Sequence, residues 1–328
     1  MSSAPLPSAA LDAVEAALLA LGQAPRRDEP LARRGWWRIG GPADLFVELD
    51  GEAPLAEALR TAHQHSVPVT ILGNGSNLLV ADAGVRGLVL KLGGGLRGLE
   101  IDASSGLATV GAGLPNAVLI KRLHESGHAG LGCLAGVPGT VGGAVRMNAG
   151  TVLGELSDVL HEIRVLHPNG QAERLPAAAL RMRYRWAELP AGAVVVSATV
   201  RVRAEGLEAE RAAIAHHLER RAATQPLDLP SCGSVFKNPP GDHAGRLIEA
   251  CGLKGHRDGG AQISDKHANF IINTGGATAA SVLRLIRLAR EQVAERFGRT
   301  LEPEVHAVGA WPPGTWPLPP IDAPGAPA

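Results

Sequence analysis

Apolar residues recur along this chain in two rhythms, and the rhythm changes from segment to segment. Alternation with a period of two, the mark of a half-buried strand, runs through residues 194–202. Short apolar or β-branched runs at 67–72, 88–91, 99–101, 107–110 and 159–166 also read as strands. After the last of these, Pro168-Asn169-Gly170 is turn chemistry and predicts a partner strand. Helical spacing governs 280–297, where Val282, Ile286, Ala289, Val293 and Phe297 share a face and Gly298 marks the end. Pro54 suits the first turn of a helix reaching Ala62, and Pro115 opens another that runs to about Leu123 with Gly127 at its end. Residues 208–223 read as a charged connecting helix, and 269–273 and 304–308 as strands. The pattern predicts an α+β chain without internal repeats. Residues 1–30 form a helix and a Pro/Arg-rich linker, 31–203 a first domain, 204–310 a second, and 311–328 a disordered Pro-rich tail.

Two segments follow neither rhythm. Residues 135–150, AGVPGTVGGAVRMNAG, carry glycines at 136, 139, 142, 143 and 150, too close together for an ordinary helix or strand. A loop of this kind offers free main-chain N–H groups and close approach, which suits a pyrophosphate. No Lys-Ser or Lys-Thr follows, so it is not a P-loop, and nothing reads G-x-G-x-x-G. Residues 67–80, VPVTILGNGSNLLV, run from a strand through Gly73-Asn74-Gly75-Ser76-Asn77 into a second apolar run at 78–80. Five consecutive small or polar residues exceed a two-residue hairpin turn. Their N–H groups, the Ser76 hydroxyl and the two Asn amides offer donors to phosphate oxygens. A glycine-rich surface loop and a tight hairpin are the plainer alternatives.

Composition narrows the function classes. The 328 residues include 32 Lys+Arg and 32 Asp+Glu, a formal net charge of zero, which argues against broad nucleic-acid binding. Apolar residues at 45% are ample for real cores. The three cysteines, Cys133, Cys232 and Cys251, show no CxxC spacing and point to a reduced, cytoplasmic setting. No apolar run reaches membrane-spanning length, and the N-terminus lacks the basic segment of a signal peptide.

Three later segments combine groups that could do chemistry: Tyr184-Arg185, with the only tyrosine; Cys232 to Pro239, CGSVFKNP; and LEPEV at 301–305. Each has a plain reading too: a surface ion pair for Arg185, a turn hydroxyl for Ser234, a solvated carboxylate for Glu304. His124-Glu125-Ser126-Gly127-His128 satisfies H-E-x-x-H, but Gly127 at the helix end would point His128 off the helix, so the match reads as accidental. His216-His217 reads as a solvated surface pair, because sequence neighbours on a helix do not share a face.

Taken together and in order, RIGGPAD (38–44), ILGNGSNLLV (71–80), LAGVPGTVGGAVRMNAG (134–150), YR (184–185), GSVFKNP (233–239), GLKG (252–255) and LEPEV (301–305) make the chain resemble the UDP-N-acetylenolpyruvoylglucosamine reductases. The resemblance spans roughly 38–309. It implies an FAD-binding domain of the vanillyl-alcohol-oxidase type followed by a smaller α+β substrate-binding domain. It also implies non-covalent FAD and NADPH as co-substrate. The activity implied is reduction of UDP-N-acetylglucosamine enolpyruvate to UDP-N-acetylmuramate for peptidoglycan, in a cytoplasmic monomer without nucleic-acid or membrane partners.

By the resemblance, FAD is held by Gly73, Asn74, Gly75, Ser76, Asn77 and Leu78, and by Pro138, Gly139, Thr140, Gly142, Gly143 and Ala144, with Asn148 and Gly150 nearby. Arg185, Ser234 and Glu304 fall on the catalytic positions: Arg185 and Glu304 stabilise developing enolic charge, Glu304 as the protonated acid or through a hydrogen bond, and Ser234 delivers a proton. Lys237 is a candidate for raising the acidity of Ser234. Tyr184, Lys237, Asn238, Lys254 and His267 fall on substrate-contacting positions.

Departures from the family are equally visible. Gly35-Trp36-Trp37 stand where hydroxyl residues are common, His306 where an arginine would be at home, and no tyrosine lies between Val202 and Ser231 for a capping loop, which points to the shorter form. Another flavoenzyme of the same fold, a flavin-binding module without catalysis, and a zinc hydrolase through His124 and His128 are the alternatives.

Overall fold

The computed structural model describes residues 8–316 and Leu318. Seven helices lie among them: α1 (Ser8–Ala20), α2 (Glu52–Gln64), α3 (Asn116–Glu125), α4 (Val141–Arg146), α5 (Leu207–Thr224), α6 (Ala244–Ala250) and α7 (Ala279–Phe297). The larger lobe rests on two sheets. In the first, Pro42–Leu49 leads through α2 to Val69–Ile71, and both strands pair in parallel with Val85–Leu92. α2 crosses over because Leu55, Ala58, Leu59 and Ala62 recur at helical spacing and all are buried. The second sheet is antiparallel throughout, in the order Ala172–Pro176, Leu160–Leu166, Val194–Arg201, Leu107–Gly111, Leu99–Asp102. The smaller lobe is slighter: Arg257–Asp258, Ala261–Ile263 and Ile271–Asn273 form one small sheet, packed by α7. α7 ends at Gly298 in the left-handed conformation, φ 61°, as the sequence pattern predicts.

Three expectations change, and one alternative falls away. Residues 26–30 are not linker: Arg26–Pro30 adds an antiparallel strand to Pro42–Leu49, and α1 buries Leu11, Val14 and Leu18 beside α2. The charges that suggested a linker suit an edge strand, where most side chains face water. Within the glycine-rich segment, 141–146 is helical despite Gly142 and Gly143. Each glycine costs about 1 kcal/mol of helix propensity, but a Cβ on Gly142 would stand 3.1 Å from the Ala112 Cβ, so the helix needs the space. Residues 67–80 do not form a hairpin. Leu78–Val80 turns away from Val69–Ile71 and pairs in parallel with His306–Val308 of the smaller lobe. Finally, the start of the tail is ordered: Trp311 packs on the smaller lobe's core and donates from Nε1 to the Val308 carbonyl at 3.1 Å. The rest of the tail from 317 onward, Leu318 apart, lies outside the described residues.

The lobes share hydrophobic surface. Trp37, Ile39 and Leu79, all from the larger lobe, belong to the core that α6 and α7 build in the smaller one. Trp37 is 2% exposed and donates from Nε1 to the Ile271 carbonyl at 2.6 Å, while Asn273 Nδ2 returns a bond to the Trp37 carbonyl at 2.9 Å. The Gly35-Trp36-Trp37 departure therefore builds an inter-lobe latch.

Candidate active site

Between the lobes lies a cavity of about 1160 Å³, above the roughly 300–1,000 Å³ usual for one small-molecule site. Its floor is the turn Gly73 to Leu78 and the stretch Gly136 to Ala144. These two segments are tied to each other: Ser76 Oγ donates to the Pro138 carbonyl at 3.1 Å and Asn74 Nδ2 to the Gly139 carbonyl at 3.4 Å. The Ser76 hydroxyl is thus engaged by protein. The main-chain N–H groups of Asn74, Gly75, Ser76, Asn77, Gly139 and Thr140 find no acceptor among the described residues. Gly73 lies so close to Thr140 that a Cβ there would meet Oγ1 at 2.9 Å. Gly75 has φ 62°, and a Cβ would fall 2.6 Å from the Arg34 carbonyl oxygen. A row of unused N–H donors on two close-packed turns fits the diphosphate of a dinucleotide such as FAD.

Above this floor three segments meet. Arg185, at φ 57°, donates from Nη2 to the Gly150 carbonyl at 2.8 Å and reaches Glu304 Oε1 from Nε at 3.1 Å. Glu304 is on the smaller lobe, and its N–H donates to the Val235 carbonyl at 2.8 Å, next to Ser234. The Ser234 hydroxyl has no partner among the described residues and faces the cavity. Burial pushes the Glu304 carboxyl above its ordinary range, against the opposing pull of Arg185 and Lys237. Burial lowers His267 and raises Tyr184. Arg185 lies over the Tyr184 ring at 4.8 Å.

Tyr184, Asn238, His267 and Gly150 also line this cavity. Asn148, Lys237 and Lys254 do not. Asn148 is buried with φ 39°, and its carboxamide bonds Glu155, the Arg183 carbonyl and the Ser157 N–H, so it braces the wall. Lys237 pairs with Glu302 at 2.6 Å because the Phe236–Pro303 bridge sets their chains side by side. Its charge still acts on the Glu304 carboxyl. Lys254 pairs with Glu249 at 2.8 Å.

Sequence reasoning passed over several lining groups. His217 lines the cavity beside Gly136 instead of facing solvent, and Arg220 and Arg221 accompany it. Asn269 grips Phe236 from both sides, accepting from its N–H at 2.9 Å and donating to its carbonyl at 2.8 Å. Its place between His267 and Phe270 in a segment read only as strand gave no sign of this. His306 stands beside Met147, with Nε2 3.0 Å from Sδ. At the H-E-x-x-H match, α3 ends at Glu125, Gly127 has φ 78°, and His124 bonds Glu210 of α5 at 3.0 Å, so the two imidazoles do not share a helix.

Comparison with known proteins agrees with this geometry. Residues 43–176 match the family model for an FAD binding domain, and 225–308 match that for the UDP-N-acetylenolpyruvoylglucosamine reductase C-terminal domain. A UDP-N-acetylenolpyruvoylglucosamine reductase from Anaeromyxobacter dehalogenans is 52% identical over 288 residues, 88% of this chain and 86% of that one. The chain belongs to the UDP-N-acetylenolpyruvoylglucosamine reductase family. A second relative, UDP-N-acetylenolpyruvoylglucosamine reductase 2 of Symbiobacterium thermophilum, is 46% identical over 87% of this chain and 92% of its own. The crystal structure of the Thermus caldophilus family member superposes with a TM-score of 0.76 at 35% identity, covering 87% of this chain and 98% of that one. This reductase-family chain is therefore α+β, with an FAD-binding domain followed by the smaller C-terminal lobe. Among its described residues no helix is long and apolar enough to cross a membrane.

Proposed function

We propose that this chain reduces UDP-N-acetylglucosamine enolpyruvate to UDP-N-acetylmuramate, a step toward peptidoglycan, with non-covalent FAD and NADPH as hydride donor. The observation that carries the reading is the meeting of Arg185, Glu304 and Ser234 above the phosphate-suited turns. Held by the free N–H groups of those turns, FAD would supply the two-electron chemistry of the reduction, with NADPH as the source of hydride.

The remaining work falls to side chains. Charge builds on the carbon next to the substrate carboxylate, and Arg185, held by Gly150, is placed to compensate it. Glu304 lines the same cavity against Arg185, and burial favours its protonated form, which would donate a hydrogen bond to the same developing charge. Ser234 gives its hydroxyl proton to that carbon, and a proton from solvent restores the alcohol. Tyr184, Asn238 and His267 line the same space and are positioned for the UDP-sugar. Lys237 pairs with Glu302 outside the lining and Lys254 with Glu249 on its edge, so both act on the charge of the site. Three cysteines without CxxC spacing favour a reduced, cytoplasmic setting.

Single-turnover kinetics on Ser234→Ala test the assignment. Flavin reduction by NADPH should stay within about 3-fold of wild type. Reoxidation by the enolpyruvyl substrate should slow roughly 100-fold or more, the scale of losing a positioned general acid. Equal slowing of both halves would show that Ser234 supports flavin geometry instead.

A further inference from the structure

Asn77 sits in the turn that the cofactor reading assigns to phosphate, yet its side chain is turned the other way. Its Nδ2 donates to the Glu304 carbonyl at 3.0 Å. Its own carbonyl accepts from the His306 N–H at 3.0 Å. One residue therefore grips the main chain on both sides of Val305. From the opposite side the Glu304 N–H is held by Val235, beside Ser234. The Glu304 peptide is thus clamped between the serine-bearing segment and the cofactor turn, and Leu78–Val80 continues the same register along His306–Val308.

We propose that Asn77 is a positioning residue, whose carboxamide sets where the Glu304 carboxyl stands relative to a flavin held by the same turn. This rests on the reading of Glu304 given above. The chemistry favours the role. Without that donor the Glu304 carbonyl loses the bond that fixes its peptide plane on this side, and a carboxyl displaced by about an ångström loses much of its effect on a transition state. Asn77 keeps its main-chain N–H for a phosphate whatever its side chain does, so cofactor binding and carboxyl placement use different atoms of one residue. The link also crosses the lobe boundary, because Asn77 belongs to the larger lobe and Glu304 to the smaller.

Asn77→Ala removes the donor, and Asn77→Gln keeps a donor on a longer arm. Titration of the FAD-free protein with FAD should give a dissociation constant within about 3-fold of wild type for both. Hydrogen exchange of the 304–306 amides in the FAD-free protein should quicken in the Ala variant and return toward wild type in the Gln variant. Reoxidation by the enolpyruvyl substrate should slow about 10-fold in Asn77→Ala, with flavin reduction unchanged. In an E304Q background the Ala substitution should add little, since a residue acting through Glu304 has nothing left to position. If FAD affinity instead falls 10-fold or more in both variants, Asn77 is a cofactor ligand and the proposal is wrong. If its slowing multiplies that of E304Q, Asn77 does not act through Glu304. If E304Q alone leaves reoxidation intact, the mechanistic reading fails first and the proposal falls with it.

Discussion

The two lobes solve the same packing problem differently. The larger encloses its own core, from Leu45 and Val47 on the first sheet to Ile163, Ala198 and Val200 on the second. The smaller cannot. Its sheet has strands of only two or three residues, and its core is finished by Trp37, Ile39 and Leu79 from across the boundary. With strands this short, it takes part of its buried surface from those three side chains. Its stability, and with it the position of Glu304, depends on the larger lobe. The cavity lies at this dependent boundary, where the Asn77 side chain in the glycine turn donates to the Glu304 main-chain carbonyl.

The largest effect should come from breaking that dependence. Trp37→Ala removes a buried side chain and its bond to the Ile271 carbonyl, and should cost about 3–5 kcal/mol. Hydrogen exchange should then show Ala261–Ile263 and Ile271–Asn273 losing protection while Val85–Leu92 keeps it. Uniform loss across both lobes would mean that they unfold as one unit. Next comes Asp82, whose carboxylate in the larger lobe accepts from the Ala279 N–H at 2.7 Å and the Ala280 N–H at 2.9 Å at the start of α7. Asp82→Ala should cost about 1 kcal/mol in urea unfolding, the usual scale of a lost helix cap.

A subtler effect concerns pH. With its carboxyl raised by burial, Glu304 holds a proton more tightly in the native state than in the unfolded chain. The wild type should therefore lose stability as pH climbs above the ordinary glutamate range. Glu304→Gln cannot ionise, so its Tm relative to wild type should rise as pH climbs above about 4. A constant Tm difference would show that Arg185 has cancelled the burial penalty. The smallest effect is expected at His124, which bonds Glu210 of α5 and does not line the cavity. Both half-reactions of His124→Ala should stay within about 3-fold of wild type. A loss reversed by added zinc would instead restore the hydrolase alternative.

Much of this was legible in the chain. Strand 194–201 and helix 279–297 follow from their periods, and the phosphate-suited turns from five small or polar residues after an apolar strand. Candidates Arg185, Ser234 and Glu304, carried by the family resemblance, meet in space. Other site features were not legible because their determinants are distant. Asn77 looked like a phosphate donor since no local pattern reveals a carbonyl 227 positions away. Lys237 looked free because Glu302 reaches it only through a bridge between separate segments. His217 looked solvated because helical position alone does not tell which face a neighbouring lobe leaves open.

Period, composition and turn chemistry are local properties, and they determined which segments become strand, helix or glycine turn and which residue types could hold phosphate or move a proton. Pairing is a property of two distant segments. Only the tertiary structure decided that Leu78–Val80 lies along His306–Val308 and that Trp37 completes a core in the other lobe. Those pairings carry Glu304 to Arg185 and Ser234, because a hydrogen bond or a buried contact forms only when the whole chain has brought its partners within a few ångströms.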